Sequence, residues 1–320
     1  MVDACWPNYM DASGNFQLSL GTKYSDPSRP IELPFPSTNT VPSRFAISGN
    51  GSFLFLGREK FADVWDMWLR VSADIRHRRA IYIYGTGGYG RSHILAALAC
   101  LLVRNHQRVV YIPDCRAMLS RPLVYLRNAF LFAFADPQSE YRKGIWECQH
   151  VEALGDFCEK YEYEGGRLCF IMDQLNALDP EPKGQDNVTD KQKSAIGSLL
   201  QRMAAGHVEI TSASANHKTA KHMERKDTGE QKIALLGGMT KAEMSHWWSR
   251  NAKDFAAFGD DDKLRVEDLT GCIPLLLEPF LGNSGMNLDA LEPRIWNKDV
   301  LDLLYHFDRP FSHASRATVN

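Results

Sequence analysis

Gly85, Thr86, Gly87, Gly88, Tyr89, Gly90, Arg91 and Ser92 form a run with the spacing G-x-x-x-x-G-R-S, which suits the holding of phosphate. Glycines let backbone N–H groups turn towards one point. A helix opening directly after them adds its positive end. In this pattern a cation just after the last glycine faces the phosphates, and the next hydroxyl holds Mg2+. Ser92 supplies the hydroxyl, Arg91 stands where lysine is usual, and His93 continues the same turn. Arg91 is no equivalent of lysine, because its planar guanidinium is longer and spreads its charge. It can still grip two phosphate oxygens at once. Gly85 through His93 are therefore the expected nucleotide-binding residues.

The rest of the chemistry lies downstream. The apolar run 169–172 ends in Asp173, the arrangement in which a strand-end carboxylate holds the metal of a bound nucleotide. Ser92 and Asp173 are thus the expected metal ligands. Gln174 follows; its amide can orient a water but cannot accept its proton. The run 208–212 leads into Ser214 and Asn216, and Asn216 is placed to sense a γ-phosphate, with Ser214 second. Asp173, Gln174 and Asn216 are the expected catalytic group. Two other readings use the same glycines. Gly85, Gly87 and Gly90 also spell G-x-G-x-x-G, with Asp114 near the place of a ribose-binding acid, which would make a Rossmann-type oxidoreductase. A glycine turn with no ligand is the plainer one. Arg91-Ser92 and the downstream Asp173 favour the phosphate loop over both.

These residues need a scaffold. Residues 80–84, 109–112, 168–172, 208–212 and 233–236 are short and apolar on both faces, and helical patterns separate them. That predicts a parallel sheet buried between helices, a three-layer α/β/α fold. A further strand is expected at 53–56. A helix is expected from the stripe Phe61, Val64, Trp65, Trp68 and Leu69, whose tryptophans read as core anchors. Residues 179–192 and 216–232 are polar and read as loops. After Gly238 the character changes. Thr240 and Glu243 have the spacing of a capping box, and helical patterns continue to about residue 307. The domains expected are a Pro/Ser-rich extended leader at 1–45, a phosphate-loop core at 46–238, and a helical lid or winged-helix-like subdomain at 239–320.

The chain has 320 residues and a formal net charge of −2, with no long basic run, so charge gives no indication of nucleic-acid binding. Seven scattered cysteines without a C-x-x-C pair suit buried thiols in a reducing compartment, cytoplasm or nucleus. No apolar run is long enough for a membrane span, and the first residues lack the pattern of a signal peptide.

The string at 84–116, YGTGGYGRSHILAALACLLVRNHQRVVYIPDCR, resembles the P-loop NTPase domain of Crinkler-type effectors and the related retrotransposon-hot-spot proteins. Further similar pieces stand in order at 44–61, 170–179, 212–216 and 237–248. Leu269-Thr270-Gly271-Cys272-Ile273-Pro274 resembles the Gly-x-x-Pro turn that leads into the lid of the AAA+/STAND branch. The resemblance implies a P-loop NTPase that uses Mg2+ with ATP or GTP, for which Asp-Gln-Leu-Asn is a typical strand end. It also implies a capacity to self-associate, and delivery of an effector into a host cell. Turnover is the open point, since Arg91 and Gln174 together also suit a nucleotide-binding switch or scaffold with little hydrolysis.

Overall fold

The computed structural model describes residues 16–74, 78–136, 139–180, 188–213, 231–283 and 287–295. The chain divides into two compact units, one of residues 1–84 and 91–235, the other of Gly85–Gly90 with residues 236–320.

The first unit is built on a five-stranded sheet: β3 (Ala80–Gly85), β4 (Arg108–Ile112), β5 (Leu168–Met172), β6 (Val208–Ser212) and β7 (Gln231–Leu235). Their spatial order is β4-β5-β6-β3-β7. The pairs β4–β5, β5–β6 and β6–β3 are parallel, with Val110 opposite Phe170 and Ile81 opposite Ile210. Side chains alternate across β4. Val110 and Ile112 enter a core with Leu126, Phe130, Leu154, Phe170 and Met203, while Tyr111 lies against Phe35 at 6.1 Å on the other face. Helices therefore cover both faces, as the continuous apolar strands predict. On one side stand α4 (Cys115–Ser120), α5 (Pro122–Ala133), α6 (Tyr141–Glu147), α7 (Val151–Tyr163) and α8 (Asp190–Ala204). On the other stand α2 (Lys60–Ala73) and α3 (Arg91–Arg104).

Helix α3 has no polar face over Ile94 to Leu102, all buried. It packs on β4 and also against an antiparallel pair, β1 (Ile31–Pro34) with β2 (Ser52–Phe55). A helix covered on both sides needs no amphipathic stripe. Here the structure differs from an extended leader. α1 (Phe16–Ser25) precedes the first of the helix-denying prolines and packs on α2, and β1 starts after Pro30 and ends on Pro34. Pro27, Pro30, Pro34, Pro36 and Pro42 shape only the chain beyond α1. Helix α8 likewise begins inside the polar stretch 179–192, because Thr189 and Gln192 cap it reciprocally. Residues 181–187, and 216–230 of the second polar stretch, lie outside the described residues.

The second unit comprises α9 (Lys241–Arg250), α10 (Asp260–Thr270), the short α11 (Pro274–Leu277) and α12 (Leu288–Ile295). Its core is its own: Met244, Trp247, Phe255, Phe258, Val266, Leu277 and Phe280 pack together. Thr240 and Glu243 form the expected capping box. The glycine loop Gly85–Gly90 belongs to this unit by its contacts. Leu275 N–H donates to the Gly88 carbonyl at 3.3 Å, and Gly237 N–H donates to Thr86 Oγ1 at 2.9 Å.

Candidate functional site

Strand β3 runs through Gly85 and α3 opens at Arg91, so the glycine loop is the whole of the connection. Gly85, Gly88 and Gly90 sit at φ 149°, 77° and 97°, backbone that residues with a Cβ rarely adopt. Gly87 does not. The positive-φ positions are therefore not the three of a dinucleotide fingerprint. At Gly88 a Cβ would stand 2.6 Å from Leu275 Cβ, so both conformation and space demand glycine. Tyr89 N–H donates to the Thr86 carbonyl at 3.4 Å, closing a turn within the loop, and the Tyr89 ring is buried.

Ser92, in the first turn of α3, donates its hydroxyl to Asp173 Oδ2 at 2.5 Å. Asp173 is 1% exposed and follows β5 directly. Its backbone extends the ladder with β4: its N–H donates to the Ile112 carbonyl, and its own carbonyl accepts from Cys115 N–H. Gln174 then turns the chain at φ 60°, a strained value for a residue with a side chain, and donates its N–H to Asp173 Oδ1 at 2.9 Å. A 3-10 turn, Leu175–Leu178, comes next. One strand, β6, separates the Asp173 strand from the loop strand. The two reactive groups, 81 positions apart, thus meet outside the carboxyl ends of the strands, where α/β sheets place ligands.

Arg91 is half-buried. Burial lowers the pKa of its guanidinium, and Asp173 and Tyr82 oppose that shift. Its Nη1 is buried and has no hydrogen-bond partner among the described residues. A buried cationic donor without an acceptor costs free energy until an anion reaches it. His93 is different. Its ring lies 4.5 Å from the Phe45 ring and 6.1 Å from that of Phe53, inside the aromatic packing between α3 and the β1–β2 pair. Burial first, then Arg44 and Arg58, push its pKa down to about 4. The expectation that His93 meets a nucleotide therefore rests on its backbone N–H, since its side chain serves the core. Asn216 and Ser214 lie outside the described residues. β6 ends at Ser212, which is buried.

Arg44 is the residue that sequence reasoning missed. It stands between β1 and β2, and its Nη2 donates to Asp173 Oδ2 at 3.2 Å and to the Pro113 carbonyl. Its Nη1 reaches Asp114 Oδ2 at 3.4 Å. Asp114 caps α4 as well, accepting from Arg116 N–H and Ala117 N–H. That double engagement explains Asp114 without a ribose. No spacing marks Arg44, since its carboxylate partners are 70 and 129 positions away. The one available hint is a lone arginine before Phe45 in an otherwise uncharged stretch, residues 33–57.

The cysteines answer to the expectation of buried thiols. Among the described residues, Cys100, Cys115, Cys148, Cys158 and Cys169 are buried free thiols and Cys272 is half-buried. No group of three or more His, Cys, Asp or Glu side chains among the described residues is arranged to hold a metal. No described helix is long and apolar enough to cross a membrane.

No protein-family model matches the chain, and no curated protein matches it. Among solved structures, it is similar to the Walker-type ATPase PABY2304 of Pyrococcus abyssi, at 13% identity and a TM-score of 0.45, over 72% of this chain and 70% of that one. It is also similar to the ORC2 protein of Aeropyrum pernix in its ADPNP–ADP complexes, at 11% identity and a TM-score of 0.41, over 82% and 71%. Likeness at this level carries no activity, ligand or partner across. What the chain itself displays is a three-layer α/β/α sheet in which a strand, a glycine loop and a helix lead into a serine bonded to a strand-end aspartate.

Proposed function

We propose that the chain binds a nucleoside triphosphate with Mg2+, ATP first and GTP as the alternative. The single observation that supports this best is the 2.5 Å bond from Ser92 Oγ to Asp173 Oδ2. A hydroxyl at the start of a helix and a buried carboxylate are hard oxygen donors, the pair that suits Mg2+ bound mainly through a nucleotide's phosphates. Ser92 and Asp173 would hold the ion, which when bound neutralises phosphate charge. The backbone of Gly85, Thr86, Gly87, Gly88, Tyr89 and Gly90, with the N–H groups of Arg91, Ser92 and His93, would take the phosphates. Arg91, with its unpartnered buried Nη1, would supply the guanidinium donor they need.

Hydrolysis is the finer claim. Phosphoryl transfer asks a protein mainly for positioning and charge neutralisation. In our reading Gln174 orients the attacking water and Asn216 senses the γ-phosphate. The reading that competes is a nucleotide-dependent switch with little turnover. It is favoured by Gln174, an amide that cannot take a proton, and by a guanidinium in the lysine position. Purified protein is assayed for phosphate release from ATP and GTP beside an Asp173→Ala control. Release above the control supports hydrolysis. Stabilisation by nucleotide without release supports the switch, and neither effect sinks both. An oxidoreductase reading would need stabilisation by NAD instead.

The Crinkler-type setting rests on the similar strings alone. It predicts that a tagged chain is delivered from its producer into host cells, and a chain retained by the producer throughout infection would remove it. Self-association, the other implied property, is read by light scattering with and without nucleotide.

A further inference from the structure

Asp173 is 1% exposed, and a buried carboxylate needs compensation. Its Oδ1 accepts from Gln174 N–H. Its Oδ2 accepts both from Ser92 Oγ and from Arg44 Nη2. The Oδ2 lone pairs are thus taken by those two donors. Oδ2 is also the oxygen that Ser92 already reaches, hence the one a metal shared with Ser92 would use. A metal ligated at Oδ2 displaces one of these two donors, and where the Ser92 bond is kept it takes the position that Arg44 holds.

We infer that Arg44 is the resident counter-cation of Asp173, a positioning residue that competes with the divalent metal at Oδ2. The inference rests on the reading of Ser92 and Asp173 as metal ligands. The geometry gives the guanidinium somewhere to remain: Asp114 Oδ2 already holds its Nη1, the Pro113 carbonyl holds its Nη2 beside Asp173, and its carbon lies 5.8 Å from the centre of the Phe45 ring. Displacement therefore breaks one of its ion pairs and keeps the other. Charge repulsion makes the competition steep, because a guanidinium and a divalent ion within a few ångströms interact strongly in a partly buried site. Metal would enter with the triphosphate, whose own charge offsets both cations.

The test is a Mn2+ titration of the full chain by electron paramagnetic resonance, with and without ATP, on wild type, Arg44→Gln, Arg44→Lys and the double variant Arg44→Gln/Asp173→Asn. Arg44→Gln is expected to half-saturate at about tenfold lower Mn2+ than wild type. Arg44→Lys, which keeps the charge but has no fork to span both carboxylates, is expected to fall between. The double variant is expected to lose the gain. A merely structural Arg44 would weaken metal binding or leave it unchanged, so Arg44→Gln equal to or weaker than wild type overturns the inference. Should Arg44→Gln fail to fold by circular dichroism, Arg44→Lys decides by the same comparison. Absence of Mn2+ binding in every variant also overturns it. The two readings separate cleanly. If ATP tightens Mn2+ equally in wild type and Arg44→Gln, with no difference between them, the counter-cation falls and nucleotide binding stands. If Arg44→Gln gains metal affinity but ATP changes nothing in either, the counter-cation stands and nucleotide binding falls.

Discussion

His93 and Arg91 show how neighbours on one helix turn divide their work. His93 is held neutral among Phe45 and Phe53, with its pKa near 4, below the unfolded value of about 6.5. A base whose folded pKa is depressed gives stability that is complete above the unfolded pKa. That stability is lost as pH falls through the interval down to about 4. The loss is on the order of 3 kcal/mol. His93→Leu is expected to flatten this acid limb, measured as the difference between urea midpoints of variant and parent at stepped pH from 7 to 4. An equal slope in both would place the titrating group elsewhere. Arg91 faces the opposite demand, a half-buried charge with one donor unused. Arg91→Ala is expected to weaken ATP binding by about tenfold to a hundredfold, the worth of charge-assisted hydrogen bonds. Arg91→Lys is expected to keep binding and to raise phosphate release. Calorimetric titration and a release assay read the two effects. If lysine raises release, the native arginine damps turnover.

Individual elements were legible where local chemistry sets them. β5 and β6 fall on the apolar runs that predict them, and the Thr240–Glu243 spacing gives the cap of α9. Thr240→Ala is expected to cost about 1 kcal/mol, seen as a lower melting temperature. The Glu243 backbone N–H would lose Thr240 Oγ1 as its acceptor. The loop is as constrained by conformation as by chemistry. Gly88→Ala meets both an unfavourable φ and Leu275 Cβ at 2.6 Å. It is expected to abolish the nucleotide response while circular dichroism stays native, and an unaltered response would show that the loop tolerates relaxation. The elements misread were those whose signals are short or composite. α1 hides behind a proline-rich neighbourhood, and α8 starts in a polar stretch that reads as loop until the Thr189–Gln192 cap is counted. β7 includes exposed Gln231, two residues before the apolar run that predicts it.

For the molecule as a whole, ligand linkage is the decisive property. A nucleotide that binds only the folded chain stabilises it by about 2.7 kcal/mol at a hundred times its dissociation constant. The melting temperature should therefore climb with ATP and Mg2+ in wild type and stay level in Asp173→Ala. A level curve in wild type would refute the proposed function. By itself the sequence determined the glycine loop between strand and helix, the serine after it, the aspartate at a strand end, and a parallel sheet between helices. These arise from backbone conformation and burial over a few residues, where residue type leaves little choice. Only the tertiary structure decided that Ser92 and Asp173 share a hydrogen bond and that the His93 ring belongs to the core. It alone brought Arg44 onto the Asp114 and Asp173 carboxylates. The pairings of Ser92 and Arg44 join positions 70 to 129 apart. They are set by strand order and by which loops the sheet brings to one edge, and no local spacing encodes that.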